Sequence, residues 1–175
     1  MKFPTTTVHT FSDSPLGRVI LAASADKLLG MWFVEGQSHP IDPSNWPAAP
    51  QNLVLQQAKV QLNDYFAGHR TAFELPLSLE TGTEFQQKVW HALLTIPCGT
   101  TCSYGQLSAS IGHPTAVRAV GAAVGRNPLS IIVPCHRVMG ADGTLTGYAG
   151  GLDRKTALLR LEGALPMTRQ TTLCL

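Results

Sequence analysis

The chain has 175 residues, enough for one domain of ordinary size or two small ones sharing an interface. Charged residues make up only 14% and the net charge is +2, so no polybasic field draws the chain to nucleic acid or membrane, and a nucleic-acid site must be a local patch. No apolar run is long enough to cross a bilayer, the N-terminus lacks a signal peptide's apolar core, and Cys98, Cys102, Cys135 and Cys174 lack the spacing of a small secreted domain, which points to a cytoplasmic protein with reduced thiols and no membrane partner.

Thr5–Ser12, Arg18–Ser24 and Leu28–Val34 read as three short strands, with Ser14-Pro15-Leu16-Gly17 and Ala25-Asp26-Lys27 as the turns between them. Connections this short make an antiparallel meander. Residues 35–50, rich in Pro, Ser, Gly and Asn, read as a loop. A helix runs from Leu53 through Phe66 and is ended by Ala67-Gly68, and Phe73–Leu75 reads as a further strand before Pro76. No nucleophile, base or ligand types cluster here, and His9, His39 and His69 read as separate solvated residues. Residues 1–77 are expected to form an α/β scaffold domain, linked through Pro76–Thr83 to a working half of residues 83–175.

In that half Thr83 and Gln86 make a capping box, and Phe85, Val89, Ala92, Leu93 and Ile96 recur at helical spacing up to Pro97. Cys98 and Cys102 could be half of a metal site, but no second Cys or His pair follows at ligand spacing, so no structural zinc is expected. Ser103 and Gln106 repeat the capping signal for a short helix, Tyr104–Ile111, ended by Gly112. Pro114 suits the first residue of a second helix reaching about Val124. Two short helices joined by a tight glycine-containing turn form a helix-turn-helix pattern, which many enzyme cores also contain. The expected fold class is mixed α/β (α+β), a small antiparallel sheet with a helix followed by a mainly helical domain.

The second of these helices has Val117, Val120 and Val124 as its core stripe. Its other face carries Thr115, Arg118, Ala119 and Ala122, almost bare of long side chains. A major-groove reader normally offers Asn, Gln or Arg to base edges. One arginine among methyl groups suits close, sequence-blind approach to the sugar-phosphate backbone with a minor-groove contact. It also suits extraction of a base from the stack, with Arg118 filling the vacated place. The plain alternative for Arg118 is a surface salt bridge.

Ile131, Ile132 and Val133 then form an apolar β-branched run that reads as a buried strand, broken by Pro134. Cys135 follows at the break, where a thiol can be rigidly held and still face a cleft. His136 is next, the side chain best suited to relay a proton near neutral pH. Adjacent residues on an extended strand face opposite ways, so the pair needs a tight turn or a bridging water to work together. The ordinary alternative for Cys135 is a small buried hydrophobe.

After the turn Ala141-Asp142-Gly143 comes a glycine-rich loop, Gly147-Tyr148-Ala149-Gly150-Gly151. Its glycines allow close approach of backbone to a ligand, and its tyrosine can wall a flat pocket. No Gly-Lys-Ser/Thr follows, which argues against a phosphate cradle. Asp153 caps a last helix with Ala157, Leu158 and Leu161 as apolar positions and Gly163 as its stop. Glu162 sits in the final turn, where a carboxylate opposes the helix dipole at a cost of about a few tenths of a kcal/mol when exposed. It is either a tolerated surface residue or the acceptor that orients His136, which would give a Cys-His-Glu chain.

Pro134-Cys135-His136-Arg137-Val138, together with Ser103-Tyr104-Gly105-Gln106-Leu107, Ala116-Val117-Arg118-Ala119-Val120-Gly121 and Arg126-Asn127-Pro128, resembles the signature of the O6-alkylguanine-DNA alkyltransferases, over Thr83 to Glu162. The resemblance implies a ribonuclease-H-like N-terminal domain and a DNA-binding, active-site C-terminal one. It implies Cys135 as alkyl acceptor, with His136 and Glu162 as the proton relay. By that likeness Arg118 would be the intercalating residue, flanked on the DNA-binding face by Thr115, Ala119 and Ala122. Tyr104 donates a proton to the guanine or supports the flipped nucleotide. Asn127 braces the turn between the DNA-binding helix and the active-site strand. By the same likeness Val138, Tyr148, Ala149, Gly150 and Asn127 would line the alkylguanine pocket, with Tyr148 packing on the lesion. Some relatives carry serine where this chain has Ala149, which leaves a backbone N–H there but no hydroxyl. For Tyr104 and Asn127 the plain alternatives are a core tyrosine and an ordinary turn residue before proline.

The implied reaction is displacement at the alkyl carbon by a sulfur that its imidazole neighbour keeps ionised, with double-stranded DNA carrying O6-alkylguanine as partner and with no cofactor or metal. It is a single turnover, since a thioether resists water. Whether O4-alkylthymine is also taken is open, and a solution monomer is expected, with side-by-side assembly on DNA left open. Two other readings compete: a Cys-His-Glu hydrolase with repeated turnover, and a non-catalytic lesion-binding DNA protein, against which the presence of Cys135 counts.

Overall fold

The computed structural model describes residues 2–166, so Cys174 lies outside the described residues. Strands β1 (Val8–Ser12), β2 (Val19–Ala23) and β3 (Leu28–Phe33) form an antiparallel meander in the order β1-β2-β3. Val8 pairs with Ala23 and Val19 with Phe33, with an irregularity at Ala22/Ala23. The first strand starts at Val8 rather than Thr5, because Thr7 turns back to bond the Pro4 carbonyl through both its N–H and its hydroxyl. Every residue of β2 and β3 is buried. One face packs on helix α1 (Leu53–Phe66), and on the other Ile20, Ala22 and Trp32 are covered by Phe3 and Trp46. Both faces being covered explains the near-continuous apolar run of these strands. The loop that carries Trp46 also ties down His9, whose Nδ1 meets the Trp46 carbonyl at 2.9 Å, so His9 is half-buried rather than solvated.

Phe73–Leu75 is not a strand. The Gln61 side chain satisfies the backbone there, accepting from Glu74 N at 2.8 Å and donating to the Glu74 carbonyl at 2.9 Å, so no ladder is needed. The extended contact comes two residues later, where Leu77 makes a single parallel bridge to Leu28. Leu129 makes a second such bridge to Met31, through Met31 N to the Pro128 carbonyl (2.8 Å) and Ser130 N to the Met31 carbonyl (3.0 Å). The free edge of β3 thereby grips the segment that leads to Cys135.

Helix α2 (Glu84–Leu94) begins with both hydrogen bonds of the Thr83–Gln86 capping box, and its buried Trp90 donates to the Ala123 carbonyl at 2.8 Å. A two-residue strand β4 (Cys102–Ser103) leads into α3 (Tyr104–Ser110), which starts with the Ser103–Gln106 box and ends near Gly112 at φ 79°. Helix α4 (Val117–Gly125) begins three residues later than the proline suggests. Pro114 and Thr115 instead lie in a turn closed by Ala116 N on the His113 carbonyl. The buried positions of α4 are Val120, Ala123 and Val124, and Val117 is exposed.

The Ile131–Val133 run is not a strand either. It is a buried turn, closed by Val133 N on the Leu129 carbonyl at 2.8 Å, and it passes into a 3-10 turn, Cys135–Arg137. Then comes β5 (Val138–Met139), parallel to β4, and finally α5 (Leu152–Leu161). Gly151, at φ 92°, occupies the N-cap of α5, which places Asp153 in the first turn, where it favours the helix dipole without capping. Leu158 and Leu159 are the buried apolar residues of α5, while Leu161 is exposed. One apolar cluster runs unbroken from the strands and α1 through α2 and α4 to Leu129–Val138 and Leu158. Among the described residues no helix is long and apolar enough to cross a membrane.

Candidate active site

Asn127 organises the approach to the cysteine. Its amide oxygen accepts from Leu129 N at 3.0 Å, and its amide nitrogen donates to the Val133 carbonyl at 2.7 Å and to Cys135 Sγ at 3.0 Å. One side chain therefore spans both ends of the buried turn. It holds a strained backbone: Ile131 has φ 70°, which a β-branched residue adopts only at a cost of about 1–3 kcal/mol.

Cys135 opens the 3-10 turn, and that turn brings His136 and Arg137 round with it. Cys135 is only 3% exposed. Burial pushes its thiol up, and the Asn127 amide and the Lys155 charge pull it only partly back. The thiol thus rests protonated, not ionised as the sequence suggests.

His136 is fully buried, with Nε2 2.9 Å from Glu162 Oε1. Arg137 grips the same carboxylate with a two-pronged contact, Nε to Oε2 at 2.9 Å and Nη2 to Oε1 at 2.8 Å. Burial alone would raise the Glu162 carboxyl, but the bonds from His136 and Arg137 outweigh it and hold the group well below the usual carboxylate range. Glu162 is therefore ionised, and Nε2 carries the hydrogen that it receives. Burial lowers the His136 pKa from 6.5, so the ring rests neutral with Nδ1 bare. Nδ1 is buried and has no partner among the described residues, leaving its lone pair ready for a proton.

The pocket side is built from the segment before α5. Val138 is fully buried and Tyr148 nearly so, the Tyr148 ring standing edge-on to the His136 ring with centroids 6.4 Å apart. A Cβ on Gly150 would come within 2.8 Å of Tyr148 Cε1 and 2.9 Å of Phe33 Cδ2, so glycine lets this loop pack against both rings. The Ala149 carbonyl accepts from Ser38 N at 2.8 Å and Ser38 Oγ at 3.1 Å. Arg154 adds a clamp, donating to Leu16, Glu35 and Gly150 carbonyls at 2.8, 2.8 and 2.9 Å. Lys155, fully buried, donates to the Val138 and Thr146 carbonyls, each at 2.6 Å, and burial brings its pKa down to about 8.

Tyr104 starts α3 half-buried, and burial pushes its hydroxyl up, so it remains a proton donor at neutral pH. Its ring lies against Gly121 of α4. Arg118, Ala119 and Ala122 are exposed on the side of α4 away from the core, and Thr115 is exposed in the turn before it. Arg118 makes no ion pair among the described residues.

The structure thus brings Cys135, His136, Glu162, Asn127, Val138 and Tyr148 into one buried cluster and keeps the α4 face separate and solvated. Sequence reasoning missed Arg137 as the second holder of Glu162, Lys155 and Arg154 as loop anchors, and Tyr65, whose hydroxyl donates to Glu162 Oε1 at 2.7 Å. Only Arg137, inside the Pro-Cys-His-Arg-Val run, carried a signal. Among the described residues no three His, Cys, Asp or Glu side chains stand together as metal ligands, and Cys98 and Cys102 are half-buried free thiols.

Residues 84–164 match the model of the 6-O-methylguanine DNA methyltransferase DNA-binding domain, and residues 7–79 match that of the ribonuclease-like domain of the same proteins. A Mycobacterium leprae methylated-DNA–protein-cysteine methyltransferase is 50% identical over 159 residues, covering 91% of this chain and 94% of that protein. A protein of the same name from Methanosarcina acetivorans is 47% identical over 156 residues, 89% of this chain and 98% of its own. In three dimensions the chain is similar to Mycobacterium tuberculosis OGT solved in complex with DNA, with a TM-score of 0.82 and 49% identity over 89% of this chain and 92% of that one.

Proposed function

The chain belongs to the 6-O-methylguanine DNA methyltransferase family, and on that premise we propose that it repairs DNA by moving the alkyl group of an O6-alkylguanine onto its own Cys135, once per molecule. The observation that carries the residue assignment is the buried thiol held by Asn127 on the same turn as a neutral imidazole, itself fixed by an ionised carboxylate.

A sulfur this buried cannot reach a base inside a duplex, so the damaged nucleotide must leave the stack. The bare face of α4 supports this: Ala119 and Ala122, with Thr115 in the preceding turn, allow the backbone close, and Arg118, without an ion pair among the described residues, fills the gap. The flipped base enters beside Tyr148, between Val138 and the Ala149–Gly150 backbone. The Cys135 proton passes to His136 Nδ1, directly or through one water, and Glu162 stabilises the imidazolium that forms. The sulfur pair makes the S–C bond while the C–O pair stays with guanine. The leaving guanine takes a proton from Tyr104. Imidazolium and phenolate then neutralise each other through solvent. The product is a thioether, which water does not cleave at neutral pH, so each molecule acts once without a cofactor.

Residues 1–77 act as scaffold and residues 83–175 carry the DNA-binding and reacting groups. The proposed setting is the cytoplasm, with a protein that is monomeric in solution and acts on double-stranded DNA, and with O4-alkylthymine a further candidate substrate.

Intact mass after mixing with an O6-methylguanine duplex tests the proposal. The expected result is one methyl group per molecule, stoichiometric, lasting and located on Cys135. Repeated turnover with no mass change would support a hydrolase instead, and binding with neither would support a lesion binder.

Arg118→Ala should slow repair of duplex DNA about tenfold, equal to roughly 1.4 kcal/mol of the few that unstacking a base demands. Reaction with free O6-benzylguanine should be unchanged, and equal losses on both substrates would count against the flipping role.

A further inference from the structure

We infer that Tyr65, carried by α1 in the N-terminal half, is a positioning residue of the alkyl-transfer site: its hydroxyl fixes the Glu162 carboxylate that orients His136. The inference rests on the relay of Cys135, His136 and Glu162 proposed above, and it extends that relay into the part of the chain read as scaffold.

The geometry concerns one oxygen. Glu162 Oε1 receives His136 Nε2 at 2.9 Å, Arg137 Nη2 at 2.8 Å and the Tyr65 hydroxyl at 2.7 Å. The Tyr65 bond is the shortest of the three. Arg137 already supplies the counter-charge, so charge balance does not require a tyrosine. What Arg137 cannot supply is an independent reference point. It is the next residue after His136 on the same 3-10 turn, and a shift of that turn would carry both donors, and the carboxylate gripped by Arg137, along with it.

Tyr65 comes from elsewhere. It sits in the last turn of α1, 2% exposed, its ring packed against Phe73 with centroids 5.3 Å apart and against Phe66 at 5.4 Å. Α1 in turn packs on the meander, whose β3 edge grips Leu129 at the start of the Cys135 segment. The carboxylate and the nucleophile are thus both referenced to one rigid body. Burial, and then the neighbouring Glu162 charge, push the Tyr65 hydroxyl far up, so it stays a donor throughout the working range. With Tyr65 and Arg137 both holding the carboxylate in place, Oε1 stays within reach of Nε2, and this acceptor keeps the tautomer that leaves Nδ1 bare for the thiol proton.

The test uses the full chain as wild type, Tyr65→Phe, Glu162→Gln and the double variant. Single-turnover methyl transfer from an O6-methylguanine duplex gives the rate, duplex binding gives the affinity, and 15N NMR of the histidines gives the His136 tautomer. Tyr65→Phe keeps the ring, and rates are taken well below each variant's melting temperature. The expected result is transfer about tenfold slower, the equivalent of one charge-assisted hydrogen bond, with duplex affinity unchanged. His136 should show mixed tautomers in place of a single Nε2-protonated form. In the Glu162→Gln background the same change should slow transfer less than about twofold, because the two residues act through one contact. A wild-type rate in Tyr65→Phe with a slow Glu162→Gln overturns the Tyr65 inference alone. Wild-type rates in both overturn the relay itself. A slower Tyr65→Phe whose His136 tautomer is unchanged reports general loosening and also overturns the inference.

Discussion

A Cys135→Ser chain takes up no methyl group from an O6-methylguanine duplex, yet binds that duplex as the wild type does. The expected loss of transfer is at least about 10⁴-fold, the scale seen when an activated nucleophile is removed. Serine preserves the geometry: Asn127 can still donate to an oxygen at this position, and the 3-10 turn does not depend on sulfur. The chemistry is what fails. An alcohol is a far weaker acid than a thiol and its oxygen a harder nucleophile toward saturated carbon, and His136, its basicity lowered by burial, does not make up that difference. Binding survives because the exposed face of α4 makes no use of Cys135. Intact mass reads the transfer and a gel shift reads the binding. Added mass on the serine protein would remove Cys135 from the role of acceptor, and loss of binding together with transfer would mean that the substitution had disturbed the fold.

How far the molecule could be read in advance follows the range of the forces. The three meander strands, α1, α2 and α3 are written in local signals: alternating or continuous apolar runs, two capping boxes, and glycines that the chain needs at positive φ, such as Gly112. Ile131–Val133 reads as a strand in the sequence because an apolar β-branched run looks the same in a buried strand and in the buried turn it forms. What decides between them is the Asn127 amide, which reaches across the loop to Val133 and Cys135. Phe73–Leu75 failed for the same kind of reason, its backbone being claimed by the Gln61 side chain. In the site, Cys135 and His136 were legible because they are adjacent, and Glu162 because it ends a helix. Tyr65 was invisible, since it lies 97 residues from the carboxylate it touches. Lys155 was hidden by its charge, because a lysine on a helix normally faces water and this one is sealed under two carbonyls.

Replacing the acidic end of the relay should do damage of a different kind. Glu162→Ala is expected to destabilise the protein by about 3–5 kcal/mol, the range for removing one partner of a buried ion pair. The Arg137 side chain, 8% exposed, would lose both prongs of its contact, and His136 Nε2 and the Tyr65 hydroxyl would lose their acceptor at the same stroke. Transfer should also fall, by about 10²-fold or more, as the imidazole loses the group that orients it and balances its charge. The pH dependence distinguishes this from simple cavity formation. The Glu162 carboxyl lies far below its ordinary 4.5 in the folded chain, so its stabilisation is complete above about pH 4.5 and is lost as the pH falls toward the folded value. The variant lacks that contribution at every pH. Thermal melts of the two proteins should therefore lie furthest apart at pH 7 and draw together at pH 3. A gap that is equally wide at both would mean that the lost carbon volume, not the lost carboxylate, sets the cost. A gap below about 1 kcal/mol at pH 7, the range of an exposed pair, would mean that the four converging hydrogen bonds do not hold Glu162 in solution.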